Sequence, residues 1–264
     1  MMAAGAGMLL RQLVTHFLQT QAKAQFADVL RGAPKPATDG PAPHPTPLLV
    51  DGLLFYPSDL EGGGALDRLQ EKCTTQCEGF LEQTGRLGEH RVAMVEVGDG
   101  ARAGEIAAAA LAVIRPLWVI SFGFASGLAP TLRRGDILMA SHVVDEAGKR
   151  RAVGLRLAAG EAPQPGLHFG DLLTVARTPD SAEQRKALAA GGALAWDADS
   201  AFIAEAAASE ASLISVRMIS EGINDKLPRP LRVIREQKSI AAKLGAAAGA
   251  LLDRPGSVAE MWRL

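Results

Sequence analysis

Apolar residues in this chain follow two patterns. The stretches LLVDGLLFY (Leu48–Tyr56), LWVISFGFASGL (Leu117–Leu128) and Leu213–Ile219 are almost continuously apolar, the pattern of strands buried on both faces. Gly79–Gln83 and Arg91–Val97 read as paired strands about a turn with Gly85 and Gly88, and Gly170–Ala176 and Ala193–Trp196 as two further strands. Ala-rich segments between them predict helices around Ala65–Glu71 and over Ala101–Ile114, Ser181–Ala190 and Ala201–Ala211. Gly148–His168, broken by Pro163 and Pro165, reads as a loop. Strands that alternate with helices give an α/β class. Upstream, Leu9, Leu10, Leu13, Val14, Phe17 and Leu18 recur at helical spacing and predict an amphipathic helix over Met8–Leu30. The prolines of Gly32–Pro47 lack the amide donor of regular structure and predict an extended linker. Downstream, a long helix is expected over about Leu231–Leu252 and a short one near Trp262. The expected organisation is a helix in residues 1–31, a linker in 32–47 and one domain in 48–264.

Composition narrows the class. With 264 residues and 48% apolar content resting on Ala, Leu and Val, the chain can build a sizeable core of helices against a sheet. A formal net charge of −1 favours neither nucleic acid nor an anionic membrane as partner. The N-terminal helix lacks a strongly basic polar face, and no apolar run reaches bilayer length. Met1–Leu10 has no basic residue ahead of it, so it does not read as a secretory signal. The two cysteines, Cys73 and Cys77, have no second ligand pair, which argues against a disulfide framework or zinc site. A cytoplasmic location is the expectation.

Candidate chemistry collects where strands end. Leu117–Leu128 closes in Gly123-Phe124-Ala125-Ser126-Gly127, whose small residues let a ligand approach the backbone and its amides. Ala193–Trp196 runs into Asp197-Ala198-Asp199-Ser200, and Leu213–Ile219 into Ser220 and Glu221, with Asn224 and Asp225 beyond. Carboxylates therefore sit at the C-terminal ends of two strands, where open α/β sheets place ligands. Gly98-Asp99-Gly100, between a strand and a helix, is a weaker signal of a dinucleotide-binding fold, because the third spaced glycine is missing. Each candidate also has a plain structural reading. Glu61 would be a first-turn helix acid, Asp199 a helix cap, and Glu221 a solvated loop acid or the partner of Arg217.

These motifs resemble the nucleoside phosphorylase and nucleosidase superfamily, in which an Asp-Met-Glu turn opens a helix and a later strand ends in Arg-x-Ile-Ser-Asp. Here the first is Asp197-Ala198-Asp199 and the second Arg217-Met218-Ile219-Ser220-Glu221. Gly123–Gly127 matches the family's Gly-x-Ala-Gly-Gly, with Ser126 in place of a glycine, and Gly135-Asp136-Ile137 matches a family strand start. The resemblance implies a three-layer α/β/α domain with a mixed, twisted central sheet, assembled as a homo-oligomer. It implies cleavage of the N-glycosidic bond of a purine-type or 5′-modified nucleoside, by phosphorolysis or hydrolysis. No metal or organic cofactor is implied, and phosphate is a candidate co-substrate.

Carried onto this chain, the resemblance makes Glu221 the leaving-group acid and Glu61 the residue on the water or phosphate side. Asp199 and Ala198 take the ribose positions, and Gly123, Ala125, Ser126 and Gly127 the sugar or anion loop. Arg177, Thr178, Pro179 and Ser220 fall at the base pocket. Asp199 is one methylene shorter than the family's glutamate and Glu221 one longer than its aspartate. A non-catalytic nucleoside-binding or assembly protein on the same fold is therefore the alternative reading.

Overall fold

The computed structural model describes residues 47–153, 165–179, 181–208 and 212–223. The expected helices at Met8–Leu30, Leu231–Leu252 and Trp262, the linker, and Asn224 and Asp225 lie outside the described residues. Strand β1 (Leu48–Tyr56) leads through helix α1 (Asp59–Leu66) to the meander β2 (Gln70–Gln76), β3 (Leu81–Leu87) and β4 (His90–Glu96). Helix α2 (Ala101–Val113) returns the chain to the long strand β5 (Ile114–Gly127). Then follow β6 (Ile137–Val144), β7 (Arg150–Ala152), β8 (Leu167–Thr174), helix α3 (Ala182–Ala189), β9 (Ala195–Asp197), helix α4 (Ser200–Ala207) and β10 (Ser212–Glu221).

These strands form one 10-stranded sheet in the order β10-β6-β8-β9-β5-β1-β4-β3-β2. β5 pairs in parallel with β1 and β10 and antiparallel with β9. The β5–β10 pairing closes β5, β10, β6, β8 and β9 into a ring, and β1 to β2 extend from it as an open sheet. The sheet is mixed and α/β as expected, and the all-parallel dinucleotide-binding alternative falls with it. Side chains alternate along β1: Leu53 and Phe55 join the core beneath α2 and α4, while Leu54 and Tyr56 join Met94, Trp118 and Ile120 on the other face. On α2, Ala103, Ile106, Ala107, Ala110 and Leu111 recur at helical spacing and are buried. A Cβ on Gly104 of α2 would stand 3.1 Å from Phe202 Cβ of α4, so glycine lets the two helices approach closely. No helix among the described residues is long and apolar enough to cross a membrane.

Three expectations need correction. The helix near Ala65–Glu71 lies earlier, at Asp59–Leu66, and Gln70–Gln76 is a strand. All seven residues of β2 are exposed, so no apolar period marked it; it is an edge strand held by β3. Gly85 lies inside β3 rather than in the turn, because any Cβ there would meet Gln70 O at 2.5 Å and Leu69. Gly88, with φ of 63°, makes the turn. The loop after Gly148 contains the short strand β7, paired with β6.

The glycine within the apolar run of β1 has a similar cause. Gly52 is the register partner of Trp118, and a Cβ on it would overlap the indole ring. Gly52→Val is expected to destabilise the domain by about 1–3 kcal/mol through overpacking. Gly63→Ala, in α1 with nothing within 4 Å of the added carbon, is expected to stabilise by about 0.5–1 kcal/mol. Denaturant midpoints of the two variants should move in opposite directions.

Candidate active site

The C-terminal third of β5 is gripped from every side. On one flank β10 runs parallel, with Arg217, Met218 and Ile219 opposite Gly123, Phe124 and Ala125. A β-bulge then skips Ser220, so that Glu221 stands opposite Ser126. On the other flank β9 pairs Trp196 with Ser126 and Ala195 with Gly127. Glu61 reaches in from α1. Its Oε1 accepts the Phe124 N–H at 2.8 Å, and its Oε2 accepts the Ser58 hydroxyl at 2.8 Å. A Cβ on Gly123 would come within 2.9 Å of Glu61 Oε1 and 3.0 Å of Pro57 Cδ, so a glycine is required for this approach. From β10, Glu221 Oε1 accepts the Ser126 hydroxyl at 2.8 Å, and Ser220 donates to the Ala125 carbonyl at 3.2 Å.

Beneath this loop lies a buried ion cluster. Arg217 is 0% exposed, in the middle of an apolar strand. Its Nε donates to Asp197 Oδ2 at 2.9 Å and its Nη2 to Asp199 Oδ2 at 2.7 Å. Nη2 also reaches the Ser121 and Ser200 hydroxyls, at 2.9 and 2.7 Å, and Nη1 the Val216 carbonyl at 3.1 Å. Asp197 Oδ1 accepts the Thr174 hydroxyl at 2.7 Å and the Ser200 N–H at 3.4 Å. Thr174 Oγ1 in turn accepts the Ala201 N–H at 2.9 Å. The start of α4 is therefore satisfied by Asp197 and Thr174. Asp199 occupies its N-cap position without making a capping bond, because its carboxylate is turned to Arg217.

Two of these acids are shifted in the same direction. Burial pushes the Asp199 carboxyl well above the usual range; Arg217 opposes this, while Asp197, Glu61 and Asp99 add to it. Glu61 is also raised, first by burial, against the pull of the Phe124 N–H, the Ser58 hydroxyl and Arg217. Burial disfavours the Arg217 charge too, but Asp199 and Asp197 more than offset it and the guanidinium stays protonated.

Comparison with known proteins bears on the fold. Residues 63–171 match the model of the phosphorylase superfamily. Among solved structures, the 5′-methylthioadenosine/S-adenosylhomocysteine nucleosidase of Neisseria meningitidis is similar over 64% of this chain and 85% of its own, at 17% identity and a TM-score of 0.57. A putative methylthioadenosine nucleosidase of Weissella paramesenteroides aligns over 75% of this chain and 93% of its own, at 21% identity and a TM-score of 0.56. The S-adenosylhomocysteine nucleosidase of Streptococcus pyogenes covers 67% of this chain and 86% of its own, at 20% identity and a TM-score of 0.54. No curated protein sequence matches. The domain has the phosphorylase-superfamily fold.

Within that fold, the family match includes Gly123–Gly127 and stops before Asp199 and Glu221. Contacts nevertheless join most of the residues expected at a superfamily site. Glu61, Ser220 and Glu221 each hydrogen-bond one residue near the end of β5, at Phe124, Ala125 and Ser126 respectively. Asp199 connects to it through Arg217, the register partner of Gly123. The Ala198 carbonyl accepts the Gly100 N–H at 2.8 Å, which ties the Gly98–Gly100 turn to the acidic turn. That bond accounts for the dinucleotide-like motif: Gly98 and Gly100, with φ of 71° and 67°, shape a turn against Ala198.

Arg177 and Thr178 are exposed and Pro179 is half-buried beyond β8, outside these contacts. Arg217 pairs with Asp197 and Asp199, so it is not the partner of Glu221. Sequence reasoning overlooked Asp197, Arg217 and Thr174 as a unit. The signal was a charged residue inside LISVRMIS, since a buried arginine demands counter-ions.

The cluster makes stability depend on pH in a definite sense. Asp199 binds its proton more tightly in the folded chain than in the unfolded one. Its ionisation therefore costs no stability below about pH 3.9, and an increasing amount as pH rises toward the raised folded value. Asp199→Asn cannot ionise. The stability of the wild type relative to this variant should thus fall as pH rises from about 4 toward neutrality, a trend checked by denaturant melts at each pH. A difference that does not vary with pH would contradict the raised carboxyl. Arg217→Met, which strands two buried carboxylates, is expected to lose about 3–5 kcal/mol.

Proposed function

We propose that this domain cleaves the N-glycosidic bond of a purine-type nucleoside or 5′-modified nucleoside, with water as the acceptor. The observation that carries the reading is that Glu61 and Glu221 each hydrogen-bond the end of β5, at Phe124 and Ser126, while Asp199 bonds Arg217, whose register partner on β5 is Gly123. The superfamily fold supports it, as does the similarity to nucleosidases solved in complex with methylthio-immucillin-A and 5-methylthiotubericidin.

The chemistry is balanced by these groups. As the C1′–N bond breaks, its electron pair leaves with the base, and Glu221 hydrogen-bonds or protonates that base. Asp199 and the backbone at Ala198 hold the ribose hydroxyls while positive charge develops on the sugar. Water then adds at C1′ and gives its proton to Glu61. Charge favours water over phosphate. The cation described beside Glu61 and Asp199, Arg217, already spends its donors on Asp197, Asp199, Ser121, Ser200 and the Val216 carbonyl, and so is not offered to a phosphate dianion. The proposal includes a cytoplasmic homo-oligomer and requires no metal or organic cofactor.

Incubation with a nucleoside panel, with and without phosphate, tests this by the appearance of free base. Release without phosphate supports hydrolysis, release only with phosphate assigns phosphorolysis, and no release from any nucleoside overturns the cleavage reading. For the active enzyme, kcat/KM should fall on acidification as Glu61 takes up a proton, at a pH above the ordinary glutamate value of about 4.3. Glu61→Gln should lose that limb together with about 100-fold or more in rate. A specific observation favours the second reading, a binding protein without catalysis. Asp199 is only 2% exposed and spends one oxygen on Arg217. Saturable nucleoside binding without free base would establish it.

A further inference from the structure

Two departures from the superfamily pattern meet in space. Ser126 stands where the family has glycine, and Glu221 where it has aspartate, 95 positions away in sequence. The bulge at Ser220 brings them opposite each other, and the serine hydroxyl donates to Glu221 Oε1 at 2.8 Å. Both are buried, Ser126 at 1% exposure and Glu221 at 7%. We propose that Ser126 is a positioning residue for Glu221, and that its hydroxyl and the extra methylene form a matched pair that fixes where the carboxylate meets the leaving base.

The geometry gives the serine little freedom. Its backbone lies between β9 and β10, paired to Trp196 on one side and Glu221 on the other. Gly127 next to it is equally confined: a Cβ there would stand 3.3 Å from the Glu221 carbonyl and 3.3 Å from Leu132 Cβ. The hydroxyl therefore sits at a fixed point on a rigid strand. An aspartate at 221 would end about one C–C bond, roughly 1.5 Å, short of that point. A glycine at 126 would leave the longer glutamate with no donor from this strand. Either change alone breaks the pair, and the two together restore the family pattern. A carboxylate displaced by about 1 Å from its productive position loses on the order of 100-fold in rate, so the pairing bears on turnover.

The inference rests on the glycosidic-cleavage reading, and a double-mutant cycle separates the two. Ser126→Gly, Glu221→Asp and the double variant are assayed with whichever nucleoside the wild type cleaves fastest, and calorimetry measures adenine binding to each. Melting curves confirm that each is folded; Ser126→Ala replaces Ser126→Gly if the glycine variant is not. Each single change should lower kcat about tenfold or more with a smaller change in KM, the size of one hydrogen bond to a charged group. The double variant should lose no more than Glu221→Asp alone, because the serine has no carboxylate within reach once the methylene is gone. Losses that multiply would show the residues acting independently and overturn the pairing while leaving the cleavage reading intact. So would a Ser126→Gly effect confined to melting temperature. A wild type that binds adenine without cleaving is tested by the same cycle in adenine affinity. One that neither binds adenine nor releases a base overturns both readings.

Discussion

A guanidinium without access to water, in a strand hydrogen-bonded on both edges, constrains everything around it. Isolated, such a charge would cost several kcal/mol or more. Arg217 lies between β5 and β6 and can be compensated only by groups that converge beneath the sheet. Asp197 arrives at the end of β9, Asp199 at the start of α4, and hydroxyls come from Ser121 on β5 and Ser200 on α4. For β9 to deliver Asp197 it must pair with β5, and that pairing joins the other edge of the ring. One buried cation thus fixes the placement of strand, turn and helix, and the turn carries Asp199.

The same compensation shapes the chemistry. Thr174, the Ser200 N–H and the Arg217 Nε surround Asp197, which makes it the settled counter-ion. Burial lifts the Asp199 carboxyl, the one strong donor Arg217 opposes this, and the repulsion of its acidic neighbours adds to it. A glutamate there could meet Arg217 along a longer side chain. The shorter aspartate meets the guanidinium through one oxygen, at 2.7 Å from Nη2, and is 2% exposed. Glu61 is held in the same manner, raised by burial against donors that favour its charge.

Much of this was legible from residue pattern. The apolar runs at Leu48–Tyr56 and Leu117–Leu128 located β1 and β5, since strands buried on both faces leave few alternatives. The motif at Gly123–Gly127 located the end of β5, and the carboxylates near it followed. What escaped notice depends on interactions that have no local signature. β2 is exposed throughout, with no apolar period, and is an edge strand paired to β3. The inward turn of Asp199 follows from an arginine 18 positions away, and spacing could not reveal it. The bulge at Ser220 is a register effect of how β10 meets β5, and the partners that hold it lie 95 positions away in sequence.

That bulge has a consequence for how the fold tolerates change. Without it, Ser220 rather than Glu221 would oppose Ser126, and the carboxylate would pass to the other face of the sheet, because a one-residue slip inverts every side chain. The extra residue is stabilised where it stands: the Ser220 hydroxyl holds the Ala125 carbonyl, and Glu221 holds Ser126. The Gly135 N–H donates to the Ile219 carbonyl at 2.8 Å, and the Ile219 N–H to the Asp136 carbonyl at 2.8 Å, so the chain on the far side of β10 secures the same point. Arg217, four residues earlier, anchors β10 to the buried cluster and stops the strand from sliding. The arginine below therefore sets the register and the bulge above spends it, turning one side chain toward the site. Substitutions at the acid itself can then alter its reach without altering its direction.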